Sequence, residues 1–387
     1  MNTRPPIEAS HEPTVLSVAF NNDASRFSIG LNTGLCVFHT SSCTLNMSRE
    51  FNGGLALVQM MGSSNYIALV GGGRSPKYPN NKVMIWDEIK GKVALEITAL
   101  TPIRGVQLTR KHVAVVLQNS VRLYEFTKQP RPLATYETTD NLLGLCCLTE
   151  RLLVFPGRTA GQVQVVELAT ENVSIIPAHT SRLQALQLST DGELLATASE
   201  KGTIIRVFST SSCAKIAERR RGSEFAQIYS LRFSPSGQML ACTSAKGSLH
   251  VFDVSAPGRT NLLGSSPPTQ SPAAATGATA NAGDASTNRW GFLSNIPFGP
   301  FQDTYSFATA KFELGDEPLG AAATESTAVL GTTRPIKGVI GWAEEECLVV
   351  VGAGQDARWE RFMLTTDEGG ARALVRRGWK RYLGGGS

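Results

Sequence analysis

The chain has 387 residues, 37 of them basic and 32 acidic, for a formal net charge of +5. So weak a balance does not by itself imply nucleic acid and leaves any anion recognition to local clusters. Seven cysteines, odd in number and without a C-x-x-C spacing, suggest neither a zinc site nor a disulfide framework, so buried free thiols are expected.

Residues 1–12 carry no apolar stretch, and a flexible N-terminus without a signal peptide is expected. No run approaches the roughly 18 apolar residues that a membrane helix needs. From residue 13 onward, apolar strands end repeatedly in a large residue followed by a polar turn. The anchors are Phe38, Trp86, Tyr124, Val166, Phe208 and Phe252, spaced 48, 38, 42, 42 and 44 residues apart. A period of about 40 to 45 residues with four short strands per unit marks a WD40-like β-propeller. The tight turns agree, because "STDGE", "SEKGT", "SPSGQ" and "SAKGS" each place a glycine where a positive φ is needed. A seventh unit reads in Gly338 to Leu364. The expected architecture is all-β, a single-domain seven-bladed propeller whose closure leaves few exposed sheet edges.

Residues 13–254 should hold blades one to six. Residues 255–304 interrupt the sixth with a long loop rich in Ala, Ser, Thr, Pro and Gly, expected to be disordered as far as Arg289. The loop ends in an apolar tip of Trp290, Phe292, Leu293, Ile296, Phe298 and Phe301. Residues 305–367 should complete blades six and seven, leaving 368–387 as a C-terminal tail.

Between blades five and six stand Arg219, Arg220, Arg221 and Gly222. In extended chain, successive side chains point to opposite sides, so Arg220 should face one blade and Arg221 the other. Each flank offers similar polar residues. Blade five has His179, Ser199, Lys201, Thr203 and Arg206; blade six has Thr243, Ser244, Lys246, Ser248 and His250. Aligning "TASEKGTI" with "CTSAKGSL" pairs Ser199 with Ser244, Lys201 with Lys246 and Thr203 with Ser248. Forked guanidinium, ammonium, hydroxyl and imidazole donors together suit a phosphate group. Gly222 is expected to free the backbone at the corner. An arginine triplet by itself is equally a solvated turn or an import signal, and His179 equally a structural histidine; the repeated polar flanks favour the phosphate reading.

These residues resemble a known family. "ERRRGSEFAQIYSLRFS" is similar to the F/L-R-R-G motif of the PROPPINs, with Arg219 where Phe or Leu is usual. "ALVGGGRSPKYPNNKVMIWDEIKGKVALEI" resembles the subfamily of WIPI-type proteins and the fungal homologues of the swollen-vacuole protein. The resemblance runs from about Val15 to Leu364, apart from the long loop and an insert near Ala321 to Arg334. It implies a non-enzymatic, cofactor-free autophagy adaptor that binds phosphatidylinositol 3-phosphate and phosphatidylinositol 3,5-bisphosphate. One headgroup site would use His179, Ser199, Lys201, Thr203, Arg206 and Arg220. The other would use Arg221, Thr243, Ser244, Lys246, Ser248, His250 and Arg259. The loop tip would insert into the bilayer, and the opposite rim, at Asn21 and Asp23, would contact an Atg2-type lipid-transfer protein. Pro76 to Asn81 is a second candidate on that rim. The resemblance further implies a monomer without nucleic acid, cytoplasmic and peripherally attached to phagophore, endosomal or vacuolar membranes. The alternative is a generic WD40-type protein scaffold without lipid binding.

Overall fold

The computed structural model describes residues 13–254, 305–314, 337–352 and 357–383. All its regular structure is β, in seven four-stranded antiparallel sheets. Blade one holds β1 (Val15–Phe20), β2 (Arg26–Leu31), β3 (Gly34–His39) and β4 (Leu45–Glu50). Blade two holds β5 (Leu55–Met60), β6 (Tyr66–Gly71), β7 (Lys82–Asp87) and β8 (Lys92–Thr98). Blade three holds β9 (Gly105–Leu108), β10 (His112–Val116), β11 (Ser120–Glu125) and β12 (Pro132–Glu137). Blade four holds β13 (Cys147–Leu148), β14 (Leu152–Pro156), β15 (Gln162–Glu167) and β16 (Val173–Pro177). Blade five holds β17 (Leu183–Leu188), β18 (Leu194–Ser199), β19 (Ile204–Ser209) and β20 (Lys215–Arg220). Blade six holds β21 (Ile228–Phe233), β22 (Met239–Ser244), β23 (Ser248–Asp253) and β24 (Ala308–Lys311). Blade seven holds β25 (Val339–Glu344), β26 (Cys347–Val351), β27 (Arg358–Thr366) and β28 (Arg372–Arg381).

Each sequence anchor is the fifth residue of the third strand of its blade, and Phe362 is its counterpart in blade seven. The anchors repeat because each blade must fill the same gap against its neighbour. Seven apolar clusters result, and every one joins two adjacent blades. Each buried Leu, Ile, Val or Phe contributes about 1.5–3 kcal/mol to these seams. Burial fades outward: β5 (LALVQM) is buried throughout, whereas β4 (LNMSRE) is buried nowhere. Glycines 192, 202, 237 and 247 adopt the expected positive φ at their turns.

The C-terminal boundary needs correction. Residues 372–381 are not a tail but the outer strand of blade seven, paired with β27 along its whole length. The strand presents Arg372, Arg376, Arg377, Lys380 and Arg381 outward and buries Leu374, so it lacks the apolar alternation that marks a strand. Among the described residues, ring closure exchanges no strand between the first and last blades. Blades one and seven meet through a shared apolar cluster and the Trp359 Nε1–H bond to the Thr40 carbonyl at 2.9 Å. Gly341 is required there, since a Cβ would lie 2.3 Å from the Phe20 ring. No helix among the described residues is long and apolar enough to cross a membrane.

Candidate anion-binding edge between blades five and six

Turns after the first and third strands of each blade lie on one rim, and those after the second and fourth on the other. The β18–β19 turn with Lys201, the β22–β23 turn with Lys246 and the 221–227 connection therefore share the second rim. Ala217 to Arg220 belongs to β20 rather than to the link between blades. Arg220 opposes Ile204 in the sheet, and its backbone also bridges to Tyr305, where the chain re-enters blade six.

The arginines alternate as extended backbone requires. Arg219 and Arg221 share one side and both are buried, while Arg220 takes the other side and is half-buried. Arg219 donates from Nε to the Asp253 carbonyl at 2.8 Å and from Nη1 to the Glu218 carbonyl at 3.2 Å. Hydrogen bonding to blade six thus takes the place of apolar packing at that position. Arg221 donates from Nε to the Gly202 carbonyl at 2.6 Å and from Nη2 to the Glu224 carbonyl. Its charge is set beside His250, whose pKa it depresses. Neither Arg220 nor Arg221 is in an ion pair among the described residues. Gly222 corrects an expectation: it has no positive φ, and nothing lies within 4 Å of a Cβ built there. The corner does not depend on glycine.

On the blade-five flank, Arg206 donates from Nε to the Glu218 carboxylate at 2.8 Å and from Nη1 to the Ala178 carbonyl at 2.6 Å. Lys215 joins Glu218 at 3.2 Å, and both basic residues line a cleft bounded by Ile176, Pro177 and Phe208. The Arg206 bond holds the Glu218 carboxyl below its ordinary value. His179 Nε2 lies 3.0 Å from the Thr197 hydroxyl, which itself donates to the Arg206 carbonyl at 3.4 Å. A hydroxyl has one hydrogen, so Nε2 is the donor and Nδ1 bears the free lone pair. Burial, then the Arg206 charge, push His179 down to about 4. Ser199 is buried at the end of β18, Thr203 half-buried and Lys201 exposed.

On the blade-six flank, Ser244, Ser248 and His250 form a hydroxyl–imidazole chain. Ser244 and Ser248 hydroxyls are 3.0 Å apart, Ser248 lies 3.0 Å from His250 Nε2, and Ser306 lies 3.2 Å from His250 Nδ1. Burial, then Arg221 and Lys311, push His250 down to about 4. Lys246 pairs with Glu224, and Lys311 donates to the Lys246 carbonyl at 3.2 Å. Thr243 is turned the other way, donating to the Gly338 carbonyl of the blade-seven connection.

The letter alignment of the two flanks slips by one residue. Thr197 opposes Arg206 in blade five, whereas Cys242 opposes His250 in blade six. Four residues, 200–203, make the first turn and three, 245–247, the second, so Ser248 corresponds to Ile204 and His250 to Arg206. Lys215, Ser306 and Lys311 were not picked out from the sequence. Lys215 lay four residues before the arginines, but the other two are visible only once β24 is registered against β23. Arg259 and the tip residues Trp290, Phe292, Leu293, Ile296, Phe298 and Phe301 lie outside the described residues, as does the insert at Ala321 to Arg334.

On the first rim, Asn21 is fully buried. Its amide oxygen accepts from Arg26 N at 3.0 Å and its Nδ2 donates to Ser25 Oγ at 3.0 Å, so it builds the β1–β2 turn and offers no surface. Asp23 is exposed, its carboxylate accepting from the Ser25 amide and hydroxyl. Pro76 to Asn81 lies in the β6–β7 connection, on the second rim rather than beside Asp23. Odd- and even-numbered turns of an antiparallel blade cannot share a rim.

Comparison with known proteins places this geometry. The PROPPIN family model matches residues 14–314. An SVP1-like protein 2 from Neurospora crassa is 45% identical, covering 99% of both chains, and one from Emericella nidulans is 50% identical over 85% of this chain and all of its own. Autophagy-related protein 18e from Arabidopsis thaliana is 38% identical over 63% of this chain and 67% of its own. Among solved structures, Kluyveromyces lactis Hsv2 with its complete loop 6CD superposes with a TM-score of 0.74 at 21% identity, covering 96% of this chain and 99% of that one, a likeness of fold. With its seven blades and its paired basic flanks around the arginine strand, the chain belongs to the PROPPIN family.

Proposed function

We propose that the protein is a non-enzymatic membrane adaptor that reads phosphatidylinositol 3-phosphate and phosphatidylinositol 3,5-bisphosphate at the two flanks of the 219–222 strand. The observation that carries this reading is the duplication. Two clusters of basic, hydroxyl and imidazole groups occupy corresponding places in adjacent blades, separated by one strand whose arginines alternate between them. The first would use His179, Ser199, Lys201, Thr203, Arg206 and Arg220, with Lys215 at its edge. The second would use Arg221, Ser244, Lys246, Ser248, His250 and Lys311, with Arg259 as a further candidate. Buried Arg221 would serve by its charge and by holding the turn.

Two weak sites on one rigid ring reinforce each other through effective concentration. Each apolar residue of the Trp290–Phe301 tip that enters the bilayer would add about 1.5–3 kcal/mol. Each basic side chain near an anionic surface would add about 1 kcal/mol. On the far rim, exposed Asp23 would take part in docking an Atg2-type lipid-transfer protein in autophagy. Flotation with liposomes of graded lipid composition tests the reading. Wild type should float only with 3-phosphorylated inositides, and the Arg220→Thr/Arg221→Thr variant should remain unbound while keeping its β circular-dichroism spectrum. A folded double variant that floats like wild type, or binding to any anionic lipid alike, would favour the generic scaffold instead.

A further inference from the structure

The central channel contains a charge that the edge site does not use. Its wall is made by the first strands of the blades, and the penultimate residues of β5, β9, β17 and β21 are Gln59, Gln107, Gln187 and Arg232. Each opposes an alanine at the third position of its second strand, so all four stand at one level of the ring. The other blades place small residues there, Ala19, Cys147 and Gly341. The resulting cavity holds about 360 Å³, and no Asp or Glu among the described residues lines it.

Among the described residues of this lining, Arg232 is the one that carries a charge. One of its Nη atoms donates to the carbonyls of Asn21 at 3.1 Å and Asn22 at 2.9 Å. Nε and the second Nη group have no hydrogen-bond partner among the described residues. Asp23, whose charge acts on Arg232, is engaged by Ser25 and forms no ion pair with it among the described residues. Arg232 is half-buried and has no ion pair among the described residues, and the open side of its fork matches the geometry of an oxyanion. Gln59 and Gln187 each spend one N–H on the next backbone carbonyl and keep the other.

We propose that the channel mouth at Arg232 is a binding site for a small phosphate-class oxyanion, held by the Arg232 fork and the amides of Gln59, Gln107 and Gln187. The ligand would be free inorganic phosphate or the phosphoryl group of a small soluble metabolite. It is separate from the blade-edge sites and would neutralise the channel on the rim that bears Asp23. Its occupant would also compete with the Asn21 and Asn22 carbonyls for the same guanidinium, coupling occupancy to the turn that carries Asp23.

The test uses the full chain with Lys201→Ala and Lys246→Ala, two exposed changes that weaken phosphate binding at the edge. Calorimetric titration with inorganic phosphate at constant ionic strength should show one saturable site at millimolar concentration or below. Hydrogen exchange should change in residues 20–26 and in β21 when phosphate is added. Arg232→Gln should weaken binding by about tenfold or more, and Gln107→Leu with Gln187→Leu by a smaller factor. The leucine pair decides the matter should Arg232→Gln misfold. Arg232→Gln in the otherwise native chain should leave liposome flotation unchanged, so this proposal and the lipid reading fail separately. Absence of saturable binding, binding indifferent to all three substitutions, or exchange changes confined to the blade edge would overturn it.

Discussion

The two flanks of the arginine strand descend from one pattern and solve the same problem differently. Blade five sets an arginine at the third position of its third strand and clamps it with Glu218; blade six sets His250 there and surrounds it with Ser244, Ser248 and Ser306. The first flank is a preformed ion-pair cluster, and under the proposed function its arginine would be shared between Glu218 and a phosphate. The second is a neutral donor chain whose positive charge arrives from Arg221 and from Lys311 on the returning strand. The two turns differ by one residue, and with these lengths Arg206 stands opposite Thr197 and His250 opposite Cys242.

The sharpest way to separate the flanks is through the arginines themselves. Arg221→Thr leaves two backbone carbonyls without their buried donor and should cost about 2–3 kcal/mol of stability in urea titration. Arg220→Thr, half-exposed and without such bonds, should stay within about 0.5 kcal/mol. Equal losses would mean that the strand does not alternate as described.

The histidines make the flanks titrate. Both have pKa values pushed from 6.5 to about 4, so the folded protein binds fewer protons than the unfolded chain between those values. Stability should be full above pH 6.5 and fall progressively as pH drops toward 4. A His179→Gln/His250→Gln variant should show a shallower decline over that window in thermal unfolding, and an unchanged slope would refute the assignment.

The smallest effects concern the internal carboxylates. Glu218→Gln frees Arg206 from a half-buried pair and should strengthen liposome binding by about two- to fivefold. Glu224→Gln removes an exposed pair with Lys246 and should change it by less than about twofold, vanishing at high salt. The reverse ranking would show that blade six, not blade five, is the self-inhibited flank.

Much of this was legible in the sequence because packing repeats. Phe38, Trp86, Tyr124, Val166, Phe208 and Phe252 had to recur once per blade to fill equivalent seams, so their spacing reported the fold. Outer strands carry no such obligation, and β28, rich in arginine, read as a tail. The polar clusters were visible as duplicated hydroxyls and lysines beside the arginines. Their true correspondence was not, because a letter alignment cannot see that one turn holds four residues and the other three. Ser306 and Lys311 were hidden by the long excursion of residues 255–304, which separates them in sequence from the His250 they approach in space. Asn21 read as a rim contact beside Asp23, but Ser25, Arg26 and Gly62 close over it and bury it completely.

The way the ring is closed sets where it is mechanically weakest. Six of the seven inter-blade junctions are spanned by the polypeptide itself. Among the described residues the junction of blades one and seven has neither a peptide connection nor a shared strand, and it holds through Phe20 against Gly341, Trp359 on Thr40 and Tyr382 packed edge-on against the stacked Phe27 and Phe38. Separating those side chains would turn a closed toroid into an open arc without breaking one sheet. A load applied across the molecule, such as a membrane pulling on blades five and six while a partner holds the far side, would be relieved at that clasp before any blade came apart.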